Sequence, residues 1–279
     1  MKTQKVWINS RLVDARDAKV SVFDRGLLYG DGIFETMRSY AGVVFKIDKH
    51  LDRLFNSMKF LRINPPYSKA EFENGIYRML KSNNLKNAYI RLTVTRGENK
   101  SNAVIIARDF EGYPGSIYKY GITAKIADTR QNEYSPIVNI KTLNFLNYIM
   151  SKEEAKRDGF DDAILINTKG YVAEAATSNV FIVKKDSLIT PAISCGILPG
   201  ITRAVVIEIA KRLKMKTIEK CCTVSELLNS NEVLLTNSCA EVVPVVKVGS
   251  KCIGSGKPGE LTKLLHISYQ KEVIRAVIR

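Results

Sequence analysis

Apolar and polar positions along the chain alternate in some stretches and recur every three or four residues in others. Residues 4–13 (Gln-Lys-Val-Trp-Ile-Asn-Ser-Arg-Leu-Val) predict a strand pair around an Asn-Ser turn. Residues 31–47 predict a second hairpin, broken at Tyr40-Ala41-Gly42. From 49 to 61, Leu51, Leu54, Phe55, Met58 and Leu61 recur at helical spacing, with Asp48 as a natural N-cap and His50 on the polar side. Residues 69–83 predict a second amphipathic helix, and 89–95 and 104–107 predict strands. The N-terminal half is therefore α+β, strands with two helices on one face. Residues 111–116 (Glu-Gly-Tyr-Pro-Gly-Ser) break the periodicity. Beyond them strands dominate, at 122–127, 162–167, 179–183 and 233–236, with helices near 146–158, 202–214, 223–229 and 258–275. The expected organisation is an N-terminal domain over 1–115, a linker region over 116–125 and a C-terminal domain over 126–279.

Composition narrows the function classes. With 279 residues, 45% hydrophobic and 25% charged, the chain can bury two ordinary cores. It holds no run of 18 apolar residues, which predicts a cytoplasmic protein with no membrane span. The five cysteines are irregularly spaced and only two histidines exist, so neither a disulfide framework nor a zinc site is expected; free buried thiols are. A net charge of +15 invites nucleic acid, yet the 43 basic residues are spread along the chain without interleaved aromatics, and no nucleic-acid partner is expected. A basic field suits an anionic cofactor and substrate equally well.

Three segments combine turn glycines with polar residues. Residues 24–36 form a glycine-rich bend that matches neither a phosphate loop nor a dinucleotide fingerprint. In 196–203 a Pro-Gly turn leads to Thr202 as the cap of a helix, whose free N–H groups and positive dipole end suit a phosphate. Lys141 closes an apolar run just before a helix, where a desolvated lysine can act as a Schiff-base amine. No G-x-S-x-G elbow exists, and neither histidine is placed as the base of a hydrolase.

Taken in order, six segments resemble the class IV (fold type IV) pyridoxal-phosphate aminotransferases. They are Gly30-Asp31-Gly32-Ile33-Phe34-Glu35, His50-Leu51-Asp52-Arg53-Leu54, Lys141-Thr142-Leu143-Asn144, Glu174 with Asn179-Val180-Phe181, Leu198-Pro199-Gly200-Ile201-Thr202-Arg203, and Thr236-Asn237-Ser238 with Glu241-Val242-Val243-Pro244. The resemblance implies a two-domain α+β / α/β fold of the D-amino-acid aminotransferase type. A smaller N-terminal domain would precede a larger pyridoxal-phosphate-binding domain built on a strand-rich pseudo-barrel. Lys141 would form the internal aldimine and shuttle the proton as base and acid. Glu174 would face the pyridine nitrogen. Arg53, Ile201, Thr202 and Ser238 would hold the phosphate, and Leu198 would pack on the ring. Phe34, Tyr89 and Arg91 would line the substrate side, with Ser238 and Cys239 receiving the α-carboxylate. A neighbouring subunit completes the pocket in this family, so a homodimer with a shared active site is implied.

Ala88-Tyr89-Ile90-Arg91 resembles the branched-chain enzymes, where these residues handle glutamate or 2-oxoglutarate, and the loop 96–102 lacks the Arg-x-His trap of D-specific enzymes. The implied reaction is transamination of leucine, isoleucine and valine with 2-oxoglutarate. Two departures keep alternatives open. Phe145 stands where the longer branched-chain enzymes place a tyrosine, and Thr236-Asn237-Ser238 is similar to the aminodeoxychorismate lyases. A D-amino-acid aminotransferase, then a lyase, are those alternatives.

Overall fold

The computed structural model describes residues 4–278, and the chain divides into two compact units. The first runs to Glu111 and takes in Ile140–Asn144 and the residues from Val273; the second comprises Gly112–Asn139 and Phe145–Glu272.

In the first unit the elements are β1 (Lys5–Ile8), β2 (Arg11–Asp14), α1 (Arg25–Tyr29), β3 (Gly32–Tyr40), β4 (Val43–Val44), α2 (Ile47–Leu61), α3 (Lys69–Ser82), β5 (Ala88–Thr95) and β6 (Asn102–Asp109). The strands form one antiparallel sheet in the order β2-β1-β6-β5-β3-β4. Asn9 and Ser10 turn the first hairpin with φ of 47° and 68°, the left-handed pair that matches strand twist. Strand alternation sends Ile33, Met37, Ile90, Leu92 and Ile105 to one face, where they meet Leu51, Leu54 and Met58 of α2 and Phe72, Ile76 and Met79 of α3. Ser68 and Glu71 close a capping box on α3. The start of α2 differs from the expectation. Its N-cap is Lys46 in the left-handed conformation, and Asp48 lies inside the first turn, where it still complements the helix dipole.

The second unit holds α4 (Ser116–Tyr120), β7 (Ile122–Gln131), α5 (Leu146–Arg157), β8 (Asp162–Asn167), β9 (Tyr171–Ala175), β10 (Asn179–Lys184), β11 (Ser187–Thr190), α6 (Ile201–Arg212), β12 (Lys216–Glu219), β13 (Cys222–Thr223), α7 (Val224–Leu228), β14 (Glu232–Asn237), β15 (Glu241–Val248) and β16 (Lys251–Cys252). The long helix α8 (Glu260–Ile278) begins here. Residues 116–125 thus carry α4 and the first part of β7. The sheet order is β12-β11-β10-β14-β15-β7-β8-β9-β13, with β16 beside β15. Its two end strands, β12 and β13, are separated in the chain only by Lys220 and Cys221, so the sheet curls back on itself. Ile164, Ile166, Val180, Ile182, Val233, Leu235 and Val245 fill its core. Among the described residues no helix is long and apolar enough to cross a membrane, and no His/Cys/Asp/Glu group could hold a metal. Cys195, Cys222 and Cys239 are buried, whereas Cys221 and Cys252 are exposed.

Candidate active site

In the first unit the lysine segment is clipped onto β3. Phe34 N–H donates to the Lys141 carbonyl and Leu143 N–H to the Gly32 carbonyl, both at 2.9 Å, with Ile33 and Thr142 bridged between them. A short segment so paired cannot wander, which fixes where the amine starts. Lys141 Nζ sits 4.4 Å from the centre of the Phe34 ring, and Arg91 Cζ covers the same ring at 3.6 Å. The alternation of β5 explains the placement. Ala88, Ile90, Leu92 and Val94 point into the core, so Tyr89 and Arg91 must occupy the opposite face, and Arg108 stacks on Tyr89 at 4.8 Å.

Arg53 projects from α2 onto Glu35 of β3, with Nε donating to Oε1 at 2.8 Å and Nη2 to Oε2 at 2.6 Å. His50, one turn earlier, places Nδ1 2.7 Å from the same Oε2 and is only 2% exposed. The expectation of a solvated His50 is therefore corrected. A polar residue at that helical position is buried because Glu35, on the core face of β3, needs a partner. Burial alone would raise the Glu35 pKa; the charge and hydrogen bonds of Arg53, aided by His50, bring it down to about 2. Burial pushes His50 below its ordinary value, so the ring is neutral at pH 7 and Arg53 carries the positive charge.

In the second unit Glu174 of β9 is 5% exposed and held from several sides. Tyr148 of α5 donates its hydroxyl to Oε1 at 3.1 Å; the Leu198 N–H and Asn179 Nδ2 donate to Oε2 at 3.0 and 3.3 Å. Burial and the Glu174 charge push the Tyr148 pKa upward, which keeps the phenol protonated as a donor. Gln131 in turn donates its amide to Tyr148. Asn179 also donates to the Leu198 carbonyl at 2.9 Å, tying the carboxylate to the turn that opens α6.

That turn starts α6 at Gly200, with no side-chain cap; Thr202 is the second helical residue rather than the cap expected for it. Glycine is required at this point, because a Cβ on Gly200 would lie 1.9 Å from Asn179 Oδ1. The uncapped N–H groups and the dipole end of α6 suit a phosphate. Thr236 Oγ1, buried on β14 directly across the ladder from Asn179, has no hydrogen-bond partner among the described residues. A buried carboxylate oriented by neutral donors, an open helix start and an orphaned hydroxyl together fit a phosphorylated aromatic base with a protonated ring nitrogen. Ser238 and Cys239 lie in the turn joining β14 to β15.

Sequence reasoning missed Glu35, Tyr148, Gln131 and Asn179 as supports of these groups. The signals were present: Glu35 alternates with Ile33 and Met37 on a core face, and Asn179 stands two residues before the buried Phe181.

A family model described as amino-transferase class IV matches residues 32–248. The chain is 40% identical over 276 residues to a Methanocaldococcus jannaschii protein provisionally named branched-chain-amino-acid aminotransferase, covering 95% of each. It is 33% identical to the D-alanine aminotransferase of Bacillus licheniformis, covering 97% of each, and 32% identical to the aminodeoxychorismate lyase of Bacillus subtilis, covering 96% of this chain and 94% of that one. Among solved structures, the branched-chain amino acid aminotransferase of Escherichia coli superposes with a TM-score of 0.93 at 30% identity, over 97% of this chain and 94% of that one. A second branched-chain amino acid aminotransferase, solved with pyridoxamine 5'-phosphate, gives 0.92 at 29% identity, over 98% and 95%.

Proposed function

The chain belongs to the class IV aminotransferases, and we propose that it moves the amino group of leucine, isoleucine and valine onto 2-oxoglutarate with pyridoxal 5'-phosphate as cofactor. The observation that carries the substrate choice is the Arg91 guanidinium lying 3.6 Å over the Phe34 ring. An aromatic wall accepts an aliphatic side chain, and a cation beside it accepts the distal carboxylate of the second substrate.

Bound pyridoxal phosphate supplies an aldehyde that captures amines and a ring that stores the electron pair released at the substrate Cα. The amine of Lys141 takes and returns the proton at that Cα. Glu174 stays ionised to hold a proton on the ring nitrogen, and Tyr148, Asn179 and the Leu198 N–H keep its oxygens aimed. The N–H groups of Ile201 and Thr202, the Ser238 hydroxyl and the Arg53 guanidinium hold the phosphate, while Leu198 packs on the ring. Ser238 and Cys239 receive the α-carboxylate, and Tyr89 orients the second substrate with Arg91.

The test is a half-reaction without acceptor. L-leucine or D-alanine is added to cofactor-loaded protein and the visible absorption band is followed. Loss of the band with L-leucine alone is expected. Loss with D-alanine alone overturns the substrate assignment in favour of a D-specific enzyme. A band that neither amino acid bleaches overturns it in favour of a lyase.

A further inference from the structure

The hairpin from β14 to β15 is closed by Ser238, Cys239 and Ala240, with Asn237 paired across the ladder to Glu241. Two of its main-chain donors are already engaged. Asn237 Oδ1 accepts the Cys239 N–H at 2.9 Å and the Ala240 N–H at 2.7 Å, an Asx turn. Its Nδ2 donates to Ser178 Oγ at 2.9 Å, which keeps the amide oxygen facing the turn.

The backbone is pinned from the outside as well. Tyr118 donates its hydroxyl to the Ala240 carbonyl at 3.2 Å and stacks on the His266 ring at 4.4 Å. His266 Nε2 lies 3.0 Å from Glu241 Oε2, and Glu241 holds a φ of 60°, which a non-glycine residue keeps only when its surroundings impose it. A turn held this way does not swing new N–H groups toward an incoming anion. The part able to yield is the Asn237 side chain.

We propose that Asn237 is a specificity-determining residue whose amide oxygen competes with the substrate α-carboxylate for the Cys239 N–H. This rests on the aminotransferase reading above, in which the Ser238–Cys239 turn receives that carboxylate. A carboxylate makes the stronger, charge-assisted bond and displaces the neutral amide, but each binding event loses the hydrogen bonds that Asn237 gives up. Asn237→Ala removes that competitor and leaves the N–H groups in place. Asn237→Asp keeps the Asx turn and adds a charge that repels the incoming anion.

The experiment titrates 4-methylvalerate, a branched carboxylate with no amino group to transfer, into cofactor-loaded wild type, N237A and N237D. Binding is read from the visible spectrum, and KM and kcat for L-leucine are measured beside it. N237A is expected to lower Kd and KM about fivefold, the worth of one neutral hydrogen bond, with kcat within about twofold. N237D is expected to raise both about tenfold or more. N237A protein that is folded by circular dichroism and binds no tighter than wild type overturns the proposal. Should N237A not fold, N237D decides alone, and wild-type affinity in it is equally fatal. Wild type that neither transfers amino groups nor binds the probe removes the aminotransferase reading together with this inference. Wild type that does both, matched by both variants, removes only the role of Asn237.

Discussion

At the scale of single residues, Lys141 and Glu174 separate two kinds of loss. Lys141→Ala removes the amine proposed to move the proton, and turnover is expected to fall by at least about 10³-fold while near-ultraviolet circular dichroism stays unchanged. Glu174→Ala is expected to retain the phosphate contacts and the cofactor, yet slow the half-reaction by about 10²-fold or more. Stopped-flow absorbance distinguishes them, and turnover retained in Lys141→Ala removes that lysine from its role. Both residues enter through the family resemblance, Lys141 with a weak local signal of its own at the end of an apolar run and Glu174 with none. Tyr148 was legible by neither route. It reaches Glu174 from another element, 26 positions away in the chain, and no local pattern encodes that meeting. The pairing of Arg53 with Glu35 was hidden for the same reason, since Glu35 reads locally as one more position in a strand.

At the scale of elements, β3 and α2 are joined by a buried ionic cluster as well as by apolar contact. Glu35→Gln leaves Arg53 facing a neutral amide and is expected to cost about 3 kcal/mol of stability, measured by urea unfolding. The pH dependence has a definite sign. The Glu35 pKa is lowered on folding, so its contribution is complete above the unfolded value near 4.5 and is lost as pH falls toward 2. His50 is also lowered, so below about 6.5 the unfolded chain binds its proton first, and stability falls there too. Unfolding midpoints should decline on acidification from pH 6.5, and Glu35→Gln should flatten the part below 4.5. The longer helices and most longer strands were legible because period and length agree, whereas the five-residue α1 and α4 fell in segments read as a glycine-rich bend and a linker. The strands β9, β11, β12 and β13 were not legible either, being two to five residues long, and β15 was obscured by Pro244. That proline sits opposite Leu234, while the pairing of β15 with β7 begins only at Val245.

At the scale of the whole molecule, Val22, Phe23, Leu27 and Tyr29 are exposed by 66, 62, 67 and 64% around the short helix α1. Apolar side chains gathered in one surface segment suit burial against a second copy. A homodimer is expected in light scattering, and Phe23→Asp with Leu27→Asp should shift it to monomer with loss of activity. An unchanged mass for that variant places the interface elsewhere. The first unit also takes Lys141 from a segment that lies 30 positions beyond Glu111. On the ribosome, at about 5–20 residues per second, the sheet-forming part emerges roughly 1.5–6 s before that lysine does. A chain stalled or terminated in that interval has every strand of the N-terminal sheet and lacks Lys141, the amine proposed to carry the chemistry. Incomplete synthesis therefore releases no half-competent enzyme, because Glu174, Ile201, Thr202 and Ser238, which the proposed mechanism also needs, are synthesised later still.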